Sequence, residues 1–507
     1  MKRFKKTVFS MLTVLLAVAM IAGCSSSGGK KDDGNTASNS SSPSSDNSAS
    51  KEVVKLTAAL PGQESPGQKN ALIAINEKLK ADGLNIEVDI KYLDDYWQKL
   101  ALNIAGGTVY DLAWAHSSTL SDLAAKKVYQ PIDDALKEYG PDLVANTPDY
   151  VLKGGQIKGK QYALARAIPM TGFNNVYNIR GDLREKYDIP KITTLEGLEA
   201  YFDAIAKNEP NIFPIAGYNF QELYPVYANY YFPIGDGGAY PVYIEPADDT
   251  YTVKSFLDSD AFAQVIAKKK EWKDKGWLNT DPNLDYEGGF DNGKVAAIAA
   301  NIFRASERID TVTKNVPGAK VETVYLEPQK RYIFSAGDNM LAVPSTSKHV
   351  NEAVALINWI KKDQANYDLW SYGVEGVNYK LVDGAVDVSG IADNDQLNMN
   401  VWMWNDLRLA RFSTNYPKEE IEALKQWDSK SEVTPFVGFT LDQSKIKSQI
   451  SNIQAILGEY ITNLGLAVTD YNKVKDEMMK KLQAAGLQDV IDETQKQIND
   501  YVAAQKK

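Results

Sequence analysis

Beyond residue 52 the apolar positions fall into short extended runs separated by stretches of helical spacing. Val53 to Ala58 is apolar and β-branched with polar interruptions, which predicts a strand. It runs into Pro61-Gly62-Gln63-Glu64-Ser65-Pro66-Gly67, a loop. Asn70 to Lys80 carries Leu72, Ile73, Ala74, Ile75 and Leu79 and predicts a helix closed by Gly83. Ile86, Val88, Ile90 and Tyr92 alternate as a second strand. Tyr96 to Ala105 reads as a helix with Gly106 as its C-cap. Tyr110 to Ala115 is a third short strand. Strand, helix, strand, helix, strand describes a parallel α/β sheet. In such sheets ligands bind at the loops beyond the C-terminal strand ends. Glu64, Tyr96, Trp97, Trp114 and His116 fall at or just past such ends.

Further along, Gln156 to Ala163 reads as a hairpin and Asn174 to Ile179 as a strand. Thr193 and Glu196 have the spacing of a capping box, ahead of a helix face of Leu195, Leu198, Phe202 and Ile205. Residues 209–252 are rich in Pro, Gly and Tyr without a clear period, which predicts long loops. A helix is expected over Ser255 to Lys275, a short apolar run from Asn292-Gly293-Lys294 to Ala300, a strand over Asn339 to Val343 and an amphipathic helix over Val350 to Lys361. The tail is helical: Ile446, Ile450, Ile453, Leu457, Tyr460 and Leu464 share a stripe, and Val474, Met478 and Leu482 begin another. A break near Gly486 precedes Val490, Ile491, Ile498 and Val502. There is no internal repeat of 20–50 residues.

The first fifty residues follow different rules. Lys2, Arg3, Lys5 and Lys6 precede an apolar run from Val8 to Ile21, and Ile21-Ala22-Gly23-Cys24 follows. This is the layout of a secretory signal with small residues at its cut. The run is shorter than the roughly 20 residues that span a bilayer. Cys24 is the one cysteine among 507 residues and stands at the cleavage position, where its sulfur would accept a diacylglycerol. The expectation is a signal peptide over 1–23 and lipidation of Cys24. Residues 25–51 are almost devoid of apolar side chains and predict a flexible tether, 24–51 counting its anchor. The mature chain would then carry no thiol and no disulfide, so its stability rests on its core.

Composition narrows the partners. The net charge is −10, and about −14 once the four basic residues of the leader are removed. An acidic surface argues against nucleic acid and against adhesion to anionic lipid. Nothing after residue 24 is long and apolar enough to cross a membrane, which leaves the lipid as the anchor. Aromatic residues are 10% of the chain, with 9 Trp and 28 Tyr. Trp and Tyr suit places where a flat apolar face meets a polar edge, as on a sugar ring.

Several stretches, in this order along about 350 residues, resemble the extracellular solute-binding lipoproteins of ABC importers related to maltose-binding protein. They are Trp97-Gln98-Lys99-Leu100 leading to Ala105-Gly106-Gly107-Thr108-Val109-Tyr110-Asp111-Leu112, then Gly159-Lys160-Gln161-Tyr162-Ala163-Leu164, Tyr177-Asn178-Ile179-Arg180, Asn292-Gly293-Lys294-Val295-Ala296-Ala297 and Ser347-Lys348-His349-Val350-Asn351-Glu352-Ala353. Tyr372-Gly373-Val374-Glu375-Gly376-Val377-Asn378-Tyr379, Pro435-Phe436-Val437-Gly438-Phe439 and the long final helices are similar to a Gram-positive subgroup with a C-terminal region of unknown function. The resemblance implies an α/β, two-lobed periplasmic-binding-protein-like fold with a ligand cleft between the lobes and extra C-terminal helices. It implies a first lobe over 52–165 with a return segment over 335–380. A second lobe over 166–334 would be completed, with the C-terminal helical region, by 381–507. It further implies hinge closure on a solute, delivery to the transmembrane subunits of an ABC permease, a monomer held by lipid on the extracellular face of the cell membrane, and no cofactor.

The candidate cleft residues are Glu64, Trp97, Trp114, His116, Tyr218, Asn219, Tyr231, Arg304, Trp370, Glu375 and Trp402. Trp114 beside His116 offers stacking next to a polar group, and Glu64 a hydroxyl acceptor. Tyr218, Asn219 and Tyr231 come from the irregular stretch. Trp402 and Trp404 lie two apart and would form one aromatic wall if extended. Each has a packing or surface alternative. Aromatic faces with short polar forks favour an oligosaccharide. A peptide is the alternative in the same role, and Arg166, Arg304 and Arg331 could serve a uronate. A ligand-sensing partner of a membrane receptor would share the same body. No HExxH, GxSxG, GxxxxGK[ST] or cysteine-based metal pattern occurs. The enzymatic rival, a surface polysaccharide-degrading enzyme, would need two facing carboxylates. Asp281, Asp285, Asp291 and Asn292 could hold a calcium ion, but they lack EF-hand spacing and read first as turn-forming residues. No catalytic residue and no metal site is expected.

Overall fold

Eight strands in two sheets organise the chain. The computed structural model describes residues 52–505 apart from 218, 220, 228–230, 234–240, 246–249, 327–329 and 336. The leader, Cys24, the tether and Tyr218 therefore lie outside the described residues. Glu52–Lys507 forms one compact unit.

The first sheet contains β1 (Val54–Pro61), β2 (Ile86–Leu93), β3 (Leu112–His116), β4 (Ala163–Ala165) and a late strand, β8 (Asn339–Ala342), in the order β2-β1-β3-β8-β4. β1 runs parallel to β2 and β3, as the strand–helix alternation predicts. β8 runs antiparallel to β3 and β4, so the complete sheet is mixed. Burial explains the register. In β2, Ile86, Val88 and Ile90 are buried while Glu87, Asp89 and Lys91 are exposed, as suits an edge strand with one covered face. In the central β1, Ala58, Ala59 and Leu60 are all buried because both faces are covered. The first crossover helix, α1 (Gln68–Ala81), buries Ala71, Ile75 and Leu79. The second, α2 (Tyr96–Ala105), buries Tyr96, Leu100 and Ile104. It is capped by Gly106 as expected, but the left-handed residue is Gly107, at φ 85°.

The second sheet is smaller: β5 (Val176–Arg180) lies between β6 (Ala297–Ala300) and β7 (Val321–Val324), antiparallel to both. On one side Tyr177 and Ile179 meet Phe202, Phe262 and Trp272 from two helices, Leu195–Asn208 and Asp260–Asp274. On the other side Val176 meets Phe290, Ile298, Ile302 and Ile309. The first of those helices is capped by Thr194, whose hydroxyl accepts from Gly197 N. The cap is thus one residue beyond the expected Thr193, because helical geometry begins only at Leu195. The helix expected from Ser255 starts at Asp260: Lys254–Ser255 is extended against Val242–Tyr243, and Ser259 supplies the cap.

The tail forms three helices, Lys447–Gly465, Tyr471–Ala484 and Leu487–Gln505, with the break at Gly486. Their stripes enter the same core as Phe202 and Trp272. Tyr471 packs edge-on to Phe262 at 5.5 Å and donates to Leu257 O at 2.6 Å. No helix among the described residues is long and apolar enough to cross a membrane.

The chain passes between the sheets three times. Residues 166–175 join β4 to β5, and the described residues 325–326, 330–335 and 337–338 belong to the stretch that joins β7 to β8. After Trp404, buried with the first sheet's core, residues 405–411 lead to Phe412, buried with the second's.

Candidate functional site

Three tryptophans meet at the C-terminal end of β3, where the strand order turns from β1 to β3. Trp114, on β3, lies 4.4 Å from Trp97 of α2 with the planes tilted by 33°. Trp402 stands nearly perpendicular to Trp114, at 5.3 Å and 86°. All three are half-buried. This corner pairs an offset face with an edge, the geometry aromatic rings favour. His116 lies 6.1 Å from Trp114 and caps the following helix, Ser117–Ala125. Its Nδ1 accepts from Ser118 N at 3.2 Å, so in the neutral ring the proton sits on Nε2.

Behind the corner lies a polar chain. Trp114 Nε1 donates to Asn339 Oδ1 at 2.9 Å. Asn339 Nδ2 donates to Asp338 Oδ2 at 3.0 Å. Arg166 clasps Asp338 with Nε (2.8 Å) and Nη2 (2.6 Å), while Nη1 donates to Trp402 O at 2.9 Å. Desolvation pushes the Asp338 carboxyl up, but the Arg166 charge and its two hydrogen bonds outweigh this and hold it below the usual carboxylate range.

A second aromatic group sits against the first connection. Trp427 donates to Thr171 O at 2.9 Å, and Asp428 accepts from Met170 N and Thr171 N. Arg331 lies 5.1 Å over Tyr325 and 5.2 Å over Trp427. Gly172 is required here: at φ 54° its absent Cβ would lie 2.6 Å from the Tyr325 ring. Phe173 brings its ring to 5.0 Å from the Arg166 guanidinium.

Of the candidate residues, Trp97, Trp114, His116 and Trp402 are brought together. Glu64 is exposed on the loop after β1, beside a hollow of about 530 Å³ that also takes in Gln68 and Lys91. Its neighbour Ser65 accepts from Asn398 N, so that loop borders the segment leading to Trp402. Asn219 is half-buried. Tyr231 stacks on Phe436 at 5.0 Å and 3°, a packing contact. Arg304 is paired with Glu287 at 2.8 Å and Glu307 at 3.2 Å. Trp370 is 1% exposed and packs against Trp404 at 5.9 Å. Glu375 is exposed in a turn closed on Tyr379. The single wall of Trp402 and Trp404 does not form. Asn400 is left-handed (φ 55°) and Val401–Met403 makes a 3₁₀ turn, so the two rings diverge.

Arg166 faces Asp338, and Arg304 its two glutamates, so neither offers an empty fork to a uronate. The acidic group near residue 285 is engaged locally. Asp281 accepts from Asn283 N, Asp285 caps a helix through Gly288 N, and Asp291 binds Arg308. Among the described residues no group of three or more His, Asp or Glu is placed to hold a metal ion. Sequence reasoning missed Asp338, Phe173, Tyr325 and Trp427. Phe173, Tyr325 and Asp338 lie on aperiodic connections and Trp427 in the turn after the helix Lys418–Lys425, and only the Trp427-Asp428 pair in a polar stretch marks one of them.

Comparison with known proteins fits this architecture. Over its full length the chain is 23% identical to a Streptococcus pneumoniae protein named carbohydrate ABC transporter substrate-binding protein, covering all of both chains. The N-glycan transport solute binding protein of Streptococcus pneumoniae shares its fold, with a TM-score of 0.74 at 20% identity over 89% of this chain and 99% of that one. That protein has also been solved in complex with Man5GlcNAc. An alginate-binding protein matches with a TM-score of 0.61 at 14% identity, over 89% and 99% of the chains. The two-domain α/β fold with added C-terminal helices is thus that of solute-binding transport proteins, which are not catalytic. Residues 435–503 match a domain of unknown function. The maltose-binding-protein-like subtype is finer than these matches distinguish. Residues 74–388, more than half of the chain, match the family described as bacterial extracellular solute-binding protein, and the chain belongs to that family.

Proposed function

We propose that this protein is the substrate-binding lipoprotein of an ABC importer and captures an extracellular oligosaccharide by closure of its two lobes. The observation that carries the reading is the half-buried corner of Trp97, Trp114 and Trp402. A pyranose ring has apolar CH faces that stack on indole and hydroxyls around its rim. Half-buried indoles beside His116 would supply the stacking surface and a polar neighbour, with an Asp–Arg–Asn chain behind them holding Trp114 in place. Three connections between the sheets give a hinge, and hinge closure couples solute contact to a change in shape. The names of the relatives, a carbohydrate transporter component and an N-glycan transport protein, point to the same ligand class. Lipid on Cys24 would hold the body at the outer face of the cell membrane, and a monomer would deliver the solute to the permease.

A thermal-shift screen of residues 52–507 against Man5GlcNAc, other oligosaccharides, alginate fragments, monosaccharides and peptides tests this. A ligand at about 100 times its Kd adds about 2.7 kcal/mol to stability. A shift with one oligosaccharide class is the expected result. A shift with peptides alone would overturn the sugar but keep the receptor, and recovery of chemically altered sugar would overturn binding without turnover. For the anchor, Cys24→Ser is expected to release the protein from the membrane fraction into the medium.

A further inference from the structure

Arg166 stands where the three connections meet. Its backbone N donates to Asn339 O at 3.1 Å, beside the end of the second connection. The next residue, Ala167, donates to Asn405 O and accepts from Leu407 N, both on the third. The side chain repeats the pattern. Arg166 is 5% exposed, and its Nε, Nη1 and Nη2 are all engaged. Two of these nitrogens hold Asp338 of the second connection, and one holds the Trp402 carbonyl just before the third. The Phe173 ring faces the guanidinium from the far end of the first connection.

Such a pair is a poor choice for stability alone. Apolar residues of similar volume often stabilise a fold as well as a buried ion pair. What the planar guanidinium adds is direction, since its bidentate fork fixes the carboxylate plane. That direction is passed on: Asp338 Oδ2 fixes the Asn339 amide, and Asn339 Oδ1 fixes the Trp114 indole. The same guanidinium holds the Trp402 backbone through its carbonyl, while the Trp402 indole donates to Asn400 Oδ1 at 3.3 Å. One side chain at the head of the first connection therefore orients the Trp114 indole and holds the backbone of Trp402, its perpendicular neighbour.

We propose that Arg166, acting with Asp338, is the positioning residue of the solute site, coupling the geometry of the connections to that of the tryptophan corner. Rotation about the connections reorients Trp114 and Trp402, and solute held by those rings favours one hinge angle. The inference rests on the solute-capture reading above.

The test uses residues 52–507 and a signal that needs no solute. Indoles 4.4 Å apart couple their excited states and give a bisignate circular-dichroism couplet, isolated by subtracting the spectrum of Trp97→Phe. Three variants are compared, each with and without Trp97→Phe. Arg166→Met with Asp338→Leu replaces the ion pair by apolar volume, Arg166→Lys keeps the charge without the fork, and Asn339→Ala leaves the ion pair and cuts its link to Trp114. All three are expected to alter the couplet and to weaken Man5GlcNAc binding about tenfold or more, while unfolding cooperatively. A wild-type couplet and wild-type affinity in the Met/Leu pair or in Asn339→Ala would overturn the proposal. Should the Met/Leu pair fail to fold, Asn339→Ala decides. Should the wild-type protein bind no oligosaccharide, the capture reading fails, and the couplet still decides the positioning role.

Discussion

Two groups of tryptophans pack with the first sheet and use the same residue in opposite ways. Trp402 and Trp404 among them join this sheet's core although their segment, 381–507, is expected with the second lobe. Trp370 and Trp404 are each 1% exposed, stand 5.9 Å apart and sit among Leu56, Ile357 and Met403. Trp404 finds only a 3.3 Å bond to Ser371 Oγ, and Trp370 Nε1 has no hydrogen-bond partner among the described residues. Trp97, Trp114 and Trp402 are half-buried, and the Trp114 indole N–H feeds a chain of directed bonds ending at Arg166, where the connections meet. The first group fills volume and tolerates an unsatisfied polar atom. The second is aimed. Incomplete burial, together with a satisfied polar edge tied to the connections, is what separates the proposed platform from packing.

The largest effect expected of any single change falls on the packed group. Trp404→Ala should cost about 3–5 kcal/mol in chemical denaturation, with the folded fraction keeping its solute affinity. A cost below 1 kcal/mol would erase the distinction. Trp114→Ala should instead weaken solute binding by about 2 kcal/mol, near thirtyfold in Kd, and cost less stability than Trp404→Ala.

Acid sharpens the contrast further. The Asp338 carboxyl is depressed in the folded state, so its contribution to stability is present above the unfolded value of about 3.9. It is lost as pH falls through the lower folded value. Melting temperatures of wild type and Asp338→Asn should therefore run in parallel from pH 7 to about 5 and converge below about 4, where the wild type loses this contribution. The smallest effect belongs to Arg304→Ala. Its partner Glu307 is exposed and Glu287 half-buried, and Glu287 keeps Arg308, so stability and solute affinity should both change by less than about 0.5 kcal/mol.

The sequence was most legible where one rule governed several residues. The alternation of Ile86, Val88 and Ile90 gave strand and facing together, and the tail stripes gave three helices and their break. It was less legible at boundaries. Thr193 and Thr194 are equally good caps, and only the backbone turn at Leu195 chooses between them. For the candidate site, the strand-end rule anticipated that Trp97, Trp114 and His116 come together, since position along a strand determines their placement. Trp402 and Trp404 were equivalent by spacing; the left-handed Asn400 separates them, and nothing about an isolated Asn announces that conformation. Asp338 and Phe173 were invisible because their role depends on three connections distant in sequence meeting at Arg166. Trp370 and Tyr231 show the converse: aromatic residues near functional segments that the core absorbs.

Calorimetric titration of Man5GlcNAc into wild-type residues 52–507 and into Trp114→Ala, with the sugar recovered afterwards, tests most directly whether the tryptophan corner captures an oligosaccharide. Saturable binding at one site by the wild type, about thirtyfold weaker in the variant and with the sugar returned unchanged, is the expected result. Equal affinity in the two proteins would contradict it, because the solute would then be held somewhere other than the corner built from Trp97, Trp114 and Trp402.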